Sequence, residues 1–527
     1  MKPEAHHPDK DLYRQLRALT ATQLWAQEVP QFNNATPADR LARVSLIRAI
    51  GVAFAGSGTT SQRTDVRAWL VSLLQDPAEK IRRYAMAALP KVGAGPREEA
   101  ALLSLLKSTT LDREKNFLGQ ALDKIGGTAT LAVVADAPGL LPQTAQKVKA
   151  SLARQQCPST IHMDRPLANA TRLRLHLRCR NGLETILRDE LLDNPLTRKK
   201  FRIAATNPGL VALTPLAPFS LADLYTLRCF ATVSVVLDTV RAANPLEPIA
   251  AAITSPLARA LFKTLTEGSL RYRLEFIGRG HQRGAVRQIV NRAYSLCPDI
   301  LNDPRRAPWS IDLHPPPSHT KHPAPSTQHF SSGTSVELRP RLTPDPRFLY
   351  RADDVDASSH PPLAAAMARL AGPFSEETVW DPFCGSGLEL IERVRLTGVS
   401  RILGTDLSPD ATAAARANWA AALFPGIRAD FVARDFREFT TIPNWGPASV
   451  SLMITNPPLG KRVPIPNLRG LLEELFAVAT IALRPGGRLV WINPLRIKPP
   501  ASSLRLEFQQ TVDLGGFSCR LELLRKR

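Results

Sequence analysis

Short apolar runs alternate with helix-like segments throughout the chain from about residue 345 onward. Each run has the length and composition of a buried strand, and the intervening segments are long enough to form helices. The apolar runs are 378–380, 402–405, 431–433, 452–454 and 488–492, and helical segments include 409–423 and 468–483. This alternation predicts a parallel, doubly wound sheet, to which 511–514 and 519–524 add an antiparallel edge.

A glycine-rich turn follows the first of these predicted strands. Gly385-Ser386-Gly387 comes shortly after Asp381, and a helix is predicted at once, over 388–396. Glycines at this place let the backbone approach a ligand where a side chain would clash. The turn therefore predicts a nucleotide-like ligand, although the third glycine of the usual dinucleotide fingerprint is missing.

Two further carboxylates stand at the ends of the second and third predicted strands. Asp406 follows Gly404-Thr405, a position where the ribose hydroxyls of such a ligand would lie. Asp435 follows Arg434 and is suited to accept a hydrogen bond from an adenine amino group. An alternative for Asp406 is that it caps the next helix.

The fourth predicted strand runs into Asn456-Pro457-Pro458-Leu459. Two consecutive prolines force an extended turn that is poor in hydrogen bonds and leaves carbonyl oxygens free. The Asn456 side-chain oxygen and the Pro457 carbonyl can then accept the two N–H groups of an exocyclic amine. This motif predicts a site that grips a planar amine and aims its lone pair at a methyl donor.

In this order, the motifs of 346–527 resemble S-adenosylmethionine-dependent methyltransferases that act on exocyclic amines of nucleic-acid bases. The nearest resemblance is to THUMP-containing RNA guanine-N2 methyltransferases of rRNA and tRNA. It implies a C-terminal Rossmann-like domain over 346–527 and S-adenosyl-L-methionine as cofactor. The implied catalytic residues are Asn456, Pro457, Pro458 and Leu459, and the implied cofactor-binding residues are Asp381, Phe383, Cys384, Gly385, Gly387, Asp406 and Asp435.

Two residues depart from the family pattern. Leu459 stands where an aromatic residue usually stacks on the flipped base, and Leu388 stands where threonine is usual. Loss of stacking removes roughly 1 to 3 kcal/mol per base, unless Phe383 or Trp491 provides another platform. Two alternatives stay open: an RNA-binding scaffold with a decayed methyltransferase domain, and a DNA adenine-N6 methyltransferase.

The region 1–155 contains three similar amphipathic segments that end in glycine, 41–51, 81–93 and 115–126. Their similarity predicts HEAT-like helical repeats that bind a protein partner, with an ordinary helical bundle as the alternative. Each glycine is expected to cap the C-terminus of its helix.

The region 165–345 has shorter mixed elements, including predicted strands at 172–178 and 272–277 and a helix at 182–192. It resembles the THUMP/ferredoxin-like α+β modules of the same RNA enzymes, with a Pro-rich loop at 314–333. Its densest basic stretch predicts RNA binding, with a solvated helix face as the alternative. The basic residues are Arg271, Arg273, Arg279, Arg283 and Arg287, with His281 among them.

Composition agrees with a polyanionic partner. The 527-residue chain has a formal net charge of +21, which favours association with nucleic acid. Six scattered cysteines without metal-ligand spacing, and the lack of any long apolar run, predict a reduced, cytoplasmic protein without a metal or membrane anchor. His360, which precedes two prolines, is a weaker catalytic candidate because such a histidine more often ends a turn.

Overall fold

The computed structural model describes residues 8–57, 59–136, 144, 148, 151–152, 158–168, 170–242, 244–280, 282–316, 333–355, 358–373, 375–460, 465–499 and 502–527. The chain divides into two compact units, Met1–Pro158 and Ser159–Arg527. His281 and nearly all of the predicted loop 314–333 lie outside the described residues. The predicted boundary at 345 falls within the second unit and stays a prediction.

The first unit is helical, and the apolar faces of its helices share one core that includes Ile50, Leu70 and Leu122. Prolines open several helices, at the position where a missing N–H costs least. Its α-helices include Pro8–Ala18, Ala21–Gln23, Val29–Asn34, Pro37–Ala42, Ser45–Ser57, Thr60–Ser72, Glu79–Ala88, Pro96–Ser108, Asp112–Ile125 and Thr128–Asp136, with a π-helical turn at Leu24–Glu28 and 3-10 turns at Leu73–Gln75 and Leu89–Lys91. The HEAT-like repeat stays a prediction.

The three glycines of the repeated segments have different roles. Gly126 follows the helix Asp112–Ile125 directly, and Gly93 adopts a φ of +80° after the 3-10 turn Leu89–Lys91. Gly51 instead lies inside the helix Ser45–Ser57, so its predicted role as a C-cap is wrong. A Cβ at Gly51 would lie 2.8 Å from the Ala88 Cβ. Glycine is therefore required there because two helices approach closely.

The second unit begins with a mixed sheet and its covering helices. Among the described residues the sheet order is Phe201–Asn207, Leu210–Pro215, Leu175–Arg178, Thr232–Val240, Thr334–Pro340, Trp309–His314, Leu270–Phe276 and Ile300–Asn302. The helices of this part are Glu184–Asp193, Pro195–Lys200, Leu221–Leu224, Leu246–Ile253, Pro256–Leu265 and Arg283–Leu296. A small pair, Ser159–Ile161 with Thr266–Gly268, runs antiparallel. The THUMP/ferredoxin-like assignment stays a prediction.

A second sheet forms the C-terminal part of the unit. Its order among the described residues is Arg428–Ala433, Val399–Asp406, Glu377–Asp381, Val450–Thr455, Leu483–Asn493, Ser518–Lys526 and Leu504–Asp513. The first five strands are parallel and the last two antiparallel. The accompanying helices are Pro361–Leu370, Leu388–Val394, Pro409–Ala422 and Leu468–Ala482, with 3-10 turns at Pro346–Phe348 and Phe436–Thr441. The predicted doubly wound, Rossmann-like sheet with an antiparallel edge is confirmed.

A buried ionic cluster fixes the amino end of the first parallel strand. Glu377 is fully buried and pairs with the guanidinium groups of Arg393, at 2.5 Å, and Arg488. Arg393 comes from the following helix, and Arg488 comes from Leu483–Asn493, the next strand but one in the sheet. This cluster ties helix to sheet and leaves the carboxyl ends of the strands open for a ligand. In the described part of the chain, none of the helices has the length and apolarity to cross a bilayer.

Candidate active site

Asp381 ends the strand Glu377–Asp381 and is fully buried. Its Oδ1 accepts hydrogen bonds from the Thr455 hydroxyl at 2.6 Å and the Phe383 N–H at 3.1 Å. Its Oδ2 is also buried and has no partner among the described residues. Burial, reinforced by the Glu389 carboxyl, raises the pKa of Asp381 well above its ordinary value. A cationic ligand or an N–H donor at Oδ2 would relieve this penalty.

The glycine turn after Asp381 has the backbone freedom that the sequence predicts. Gly385 and Gly387 adopt φ angles of +49° and +81°, in the left-handed region. A Cβ at Gly385 would meet nothing within 4 Å, so this residue borders open space. At Gly387 a Cβ would lie 3.2 Å from the Ala415 Cβ, and the helix Leu388–Val394 begins directly afterwards. Gly385 thus borders open space, and its cofactor-binding role stays a prediction, whereas Gly387 lets two helices approach.

Asp406 connects the next strand to this turn. Its Oδ2 accepts a hydrogen bond from the Gly385 N–H at 3.0 Å, and its Oδ1 accepts one from the Ser408 N–H at 2.9 Å. The cap of the helix Pro409–Ala422 is Ser408, whose side chain accepts from the Ala411 N–H. Asp406 is therefore at the predicted strand tip and shapes the glycine turn, and its ribose-binding role stays a prediction.

Asp435 follows the third strand and already has local partners. Its Oδ1 accepts from the Arg437 N–H at 2.9 Å, and its Oδ2 accepts from Arg437 Nη1 at 2.7 Å. Asp435 thereby caps the 3-10 turn Phe436–Thr441. An adenine amino group would have to use the remaining lone pairs of this carboxylate. Its predicted adenine-binding role is thus compatible with the geometry and stays a prediction.

Asn456 follows the strand Val450–Thr455 and is adjacent to the Thr455 hydroxyl that holds Asp381. Its Nδ2 donates to the Ser359 hydroxyl at 2.9 Å, while its Oδ1 is buried without a partner among the described residues. Pro457 is buried, and Leu459 is half-buried and packs against the main core of this unit. The predicted amine grip therefore lies beside the predicted cofactor site and presents an unused acceptor.

Four other candidate residues have clear places. Cys384 is 2% exposed, burial raises the pKa of its thiol, and the thiol donates to the Gly385 carbonyl at 3.8 Å, so its predicted cofactor-binding role stays a prediction. Leu388 is buried against Tyr350 and Ile391. Trp491 is fully buried and donates to Glu522 at 3.1 Å, so it does not serve as a stacking platform. Phe383 is half-buried with its ring centroid 5.0 Å from that of Phe436, and it stays available.

Sequence reasoning missed several residues that organise this site. Glu389 is 3% exposed and accepts a hydrogen bond from Ser359. Asn418 is fully buried, and its Nδ2 donates to the carbonyls of Asp353 and Ser386, both at 2.9 Å. Asn418 therefore joins the segment before the first helix to the glycine turn. Glu389 and Asn418 are polar residues among apolar helix positions, and this pattern in the sequence could have indicated their role.

His360 precedes the helix Pro361–Leu370 at its N-cap position and makes no side-chain capping hydrogen bond. Burial and the charges of Arg180 and Arg351 lower its pKa to about 4. It borders a cavity of about 520 Å³ together with Phe348, Pro361 and Pro362. Among the described residues no hydrogen bond joins His360 to Asn456 or Asp381, and it is Ser359 that accepts from Asn456 Nδ2.

The predicted basic stretch is divided between buried and exposed residues. Arg271 is 3% exposed and lies 3.8 Å from Asp303, so a phosphate could not reach it in this structure. Arg273 pairs with Glu275 at 2.6 Å. Arg279, Arg283 and Arg287 are exposed and form no ion pair with a described residue. These last three residues carry the RNA-binding prediction.

The residues at the carboxyl ends of the parallel strands fit S-adenosylmethionine. The buried, unpartnered Asp381 Oδ2 suits a cationic group, and the open space at Gly385 admits a ligand close to the backbone. Asp406 lies at the neighbouring strand tip, where ribose hydroxyls bind in open α/β sheets. A substrate amine bound at Asn456 would lie at the end of the adjoining strand, Val450–Thr455.

Residues 349–507 match the RMKL-like methyltransferase domain of family UPF0020. The C-terminal part of the chain is therefore a Rossmann-like methyltransferase domain, and its cofactor is S-adenosylmethionine.

Two relatives extend this comparison. The tRNA (guanine(6)-N2)-methyltransferase of Thermus thermophilus is 31% identical over 226 residues, which cover 40% of this chain and 63% of that protein. The chain thus matches slightly under two thirds of the length of this relative. The crystal structure of TrmN from Thermus thermophilus has a TM-score of 0.50 at 21% identity, covering 67% of this chain and 100% of that chain. This second likeness shows the fold.

Proposed function

We propose that the protein transfers a methyl group from S-adenosylmethionine to an exocyclic amine of an RNA base, with guanine N2 in tRNA or rRNA as the target. The observation that carries this proposal is the buried, unpartnered Oδ1 of Asn456, held one residue from the Thr455–Asp381 hydrogen bond. This oxygen is a hydrogen-bond acceptor without a described donor, and an exocyclic amine has two N–H groups that can donate to it and to a neighbouring acceptor.

The chain's own residues would activate and orient that amine. Its lone pair is delocalised into the base, so the free amine is a poor nucleophile. Acceptance of its two hydrogens by Asn456 Oδ1 and the Pro457 carbonyl would favour tetrahedral nitrogen and direct the lone pair away from the ring. Positioning and electrostatics then provide most of the rate. The proton that the nitrogen must lose can pass to water, and no strong base is needed.

Asp381, the turn at Gly385 and Gly387, and Asp406 would hold the cofactor, with Asp435 at its adenine end. When bound, S-adenosylmethionine supplies an electrophilic methyl group on a sulfonium sulfur. The positive charge of the bound ligand would stabilise the ionised form of Asp381, whose Oδ2 has no described partner and whose ionisation burial otherwise disfavours.

The positive charge of the protein and its similarity to a tRNA methyltransferase support RNA as the substrate. The formal net charge is +21, and the exposed residues Arg279, Arg283 and Arg287 lie on one loop and the start of the following helix. Polyanions bind such surfaces by releasing counterions. The Thermus thermophilus relative, 31% identical over 226 residues, acts by its name on guanine N2 of a tRNA.

The test is transfer of a radiolabelled methyl group to separate pools of tRNA, rRNA and double-stranded DNA, followed by nucleoside mass spectrometry. We expect label in RNA, recovered as N2-methylguanosine. Label in DNA alone, as N6-methyladenine, would overturn the proposal. Cofactor binding by calorimetry without transfer to any pool would favour an RNA-binding scaffold, for which Leu459 in place of an aromatic residue is the specific observation.

A further inference from the structure

The carboxamide of Asn456 is connected to a buried carboxylate through one serine. Asn456 Nδ2 donates to Ser359 Oγ at 2.9 Å, and Ser359 Oγ donates to Glu389 Oε1. Ser359 lies just before the helix Pro361–Leu370, and Glu389 lies in the helix Leu388–Val394. Three segments that are distant in sequence thus meet at the amine grip.

The order of donors and acceptors in this chain is determined by chemistry. A serine hydroxyl has one hydrogen, and Ser359 Oγ donates it to Glu389 Oε1. The Ser359 oxygen is then an acceptor toward Asn456, and the amide must turn its NH2 end to the serine. Its other end, Oδ1, is directed away from Ser359 and is the buried atom without a described partner.

We propose that Ser359 and Glu389 are positioning residues that fix the orientation of the Asn456 carboxamide, so that Oδ1 and not the NH2 group meets the substrate. This inference rests on the proposed function and specifies its substrate class. The two ends of a carboxamide have nearly the same shape, and without such a partner either end can face the site. A fixed Oδ1 attracts an exocyclic amine, whereas it repels a base edge that presents a carbonyl oxygen.

Replacement of Ser359 tests the role of the hydroxyl. Ser359→Ala should lower kcat for RNA methylation about tenfold, the effect of one lost orienting hydrogen bond, with the Kd for S-adenosylmethionine unchanged. Ser359→Thr keeps the hydroxyl and should restore most of the rate. The matched control is Ser400→Ala, which removes a hydroxyl that donates to the Glu377 carbonyl at 3.1 Å at the opposite end of the sheet. It should leave kcat unchanged.

A double-mutant cycle separates positioning from general damage. Glu389→Gln adds a donor next to Ser359, so the serine hydrogen can turn to Asn456 Oδ1, and kcat should fall. The double variant Ser359→Ala, Glu389→Gln should be no slower than Ser359→Ala alone, because Glu389 acts through the serine. Additive losses in the double variant would overturn the proposal.

A readout that needs no turnover completes the test. Protein labelled with [15N]asparagine should show the Asn456 side-chain amide signal, identified by its loss in Asn456→Ala. Ser359→Ala should shift this signal and speed its hydrogen exchange, whereas Ser400→Ala should not. An unchanged signal and rate in Ser359→Ala would overturn the positioning role. A responsive signal in a protein that methylates no RNA would refute the proposed function and support the positioning role.

Discussion

Arg228 holds Glu392 by two hydrogen bonds, 2.6 Å long from Nε and 2.7 Å long from Nη2. Glu392 lies in the helix Leu388–Val394, and Arg228 follows the short helix Leu221–Leu224 of the mixed-sheet part. The Tyr350 hydroxyl also donates to Glu392, at 2.6 Å. The helix behind the glycine turn is therefore fastened to the preceding part of the same unit by a largely buried ion pair.

We expect Arg228→Ala to lower the free energy of unfolding by about 3 kcal/mol, because it leaves the buried Glu392 carboxylate with too few partners. Arg228→Lys should recover only part of this loss, since an ammonium cannot form the bidentate pair. Chemical denaturation measures both changes. The control is Arg369→Ala, because Asp193, the partner of Arg369, is 71% exposed. This substitution should lower the free energy of unfolding by less than about 1 kcal/mol. Equal losses for the two alanine variants would contradict this account.

A methyl group at Gly385 should weaken cofactor binding more than it weakens the fold. The Cβ would enter open space beside the turn, and the positive φ of +49° adds a backbone cost of about 1 kcal/mol. Gly385→Ala should therefore raise the Kd for S-adenosylmethionine at least tenfold in calorimetry.

Gly486→Ala is the matched control for this substitution. Gly486 has a φ of +74°, and a Cβ there would also meet nothing within 4 Å, but it lies in the strand region Leu483–Asn493, away from the glycine turn. Its variant should lose similar stability and bind the cofactor normally. A normal Kd in Gly385→Ala would show that the space beside Gly385 is not the cofactor site.

The C-terminal fold was readable from the sequence because its strands are buried on both faces. Such strands appear as continuous apolar runs, and glycines and carboxylates at their ends mark the ligand edge. The prediction that Trp491 could be a stacking platform is wrong, because this residue is buried in the core on a strand of the sheet. Apolar periodicity shows that a residue is buried, but it does not show what the residue touches.

Contacts between distant segments explain what the sequence could not reveal. Ser359 and Asn456 are 97 residues apart, and no spacing rule connects a serine before two prolines to an asparagine after a strand. The sequence places Arg271 in a predicted basic surface. In the structure this residue belongs to the strand Leu270–Phe276 and is buried near Asp303. A glycine is needed at position 51, inside a helix, because Ala88 of another helix approaches closely. Each case depends on tertiary contacts.

Asn456→Ala should abolish methyl transfer while leaving cofactor affinity nearly unchanged. It removes the buried acceptor Oδ1 but none of the contacts of Asp381, Gly385 or Asp406. A loss of at least a hundredfold in kcat is expected if this oxygen orients and polarises the amine. Single-turnover transfer and calorimetry measure the two effects. Retained turnover would refute the assigned grip, and loss of cofactor binding would indicate structural damage.

Two buried carboxylates should respond oppositely to pH. Burial tends to raise the pKa of Glu337, but hydrogen bonding and charge from His176, with the charge of Arg178, lower it well below its ordinary value. Its contribution to stability is present above the pKa of the unfolded chain and is lost as the pH falls below it. Glu337→Gln should lose about 3 kcal/mol at neutral pH, and the difference from wild type should shrink in acid.

Asp381 has the opposite sign, since burial and the nearby Glu389 raise its pKa in the folded protein. The folded state then binds more protons than the unfolded chain, so stability falls as the pH rises above the ordinary pKa of an aspartate. Asp381→Asn keeps an acceptor for Thr455 and the Phe383 N–H but removes the charge. We expect this variant without cofactor to be more stable than wild type above neutral pH, by roughly 1 to 3 kcal/mol, and to bind S-adenosylmethionine weakly. Thermal denaturation from pH 5 to pH 9 would show a gain that grows with pH, and a constant difference would contradict the assignment.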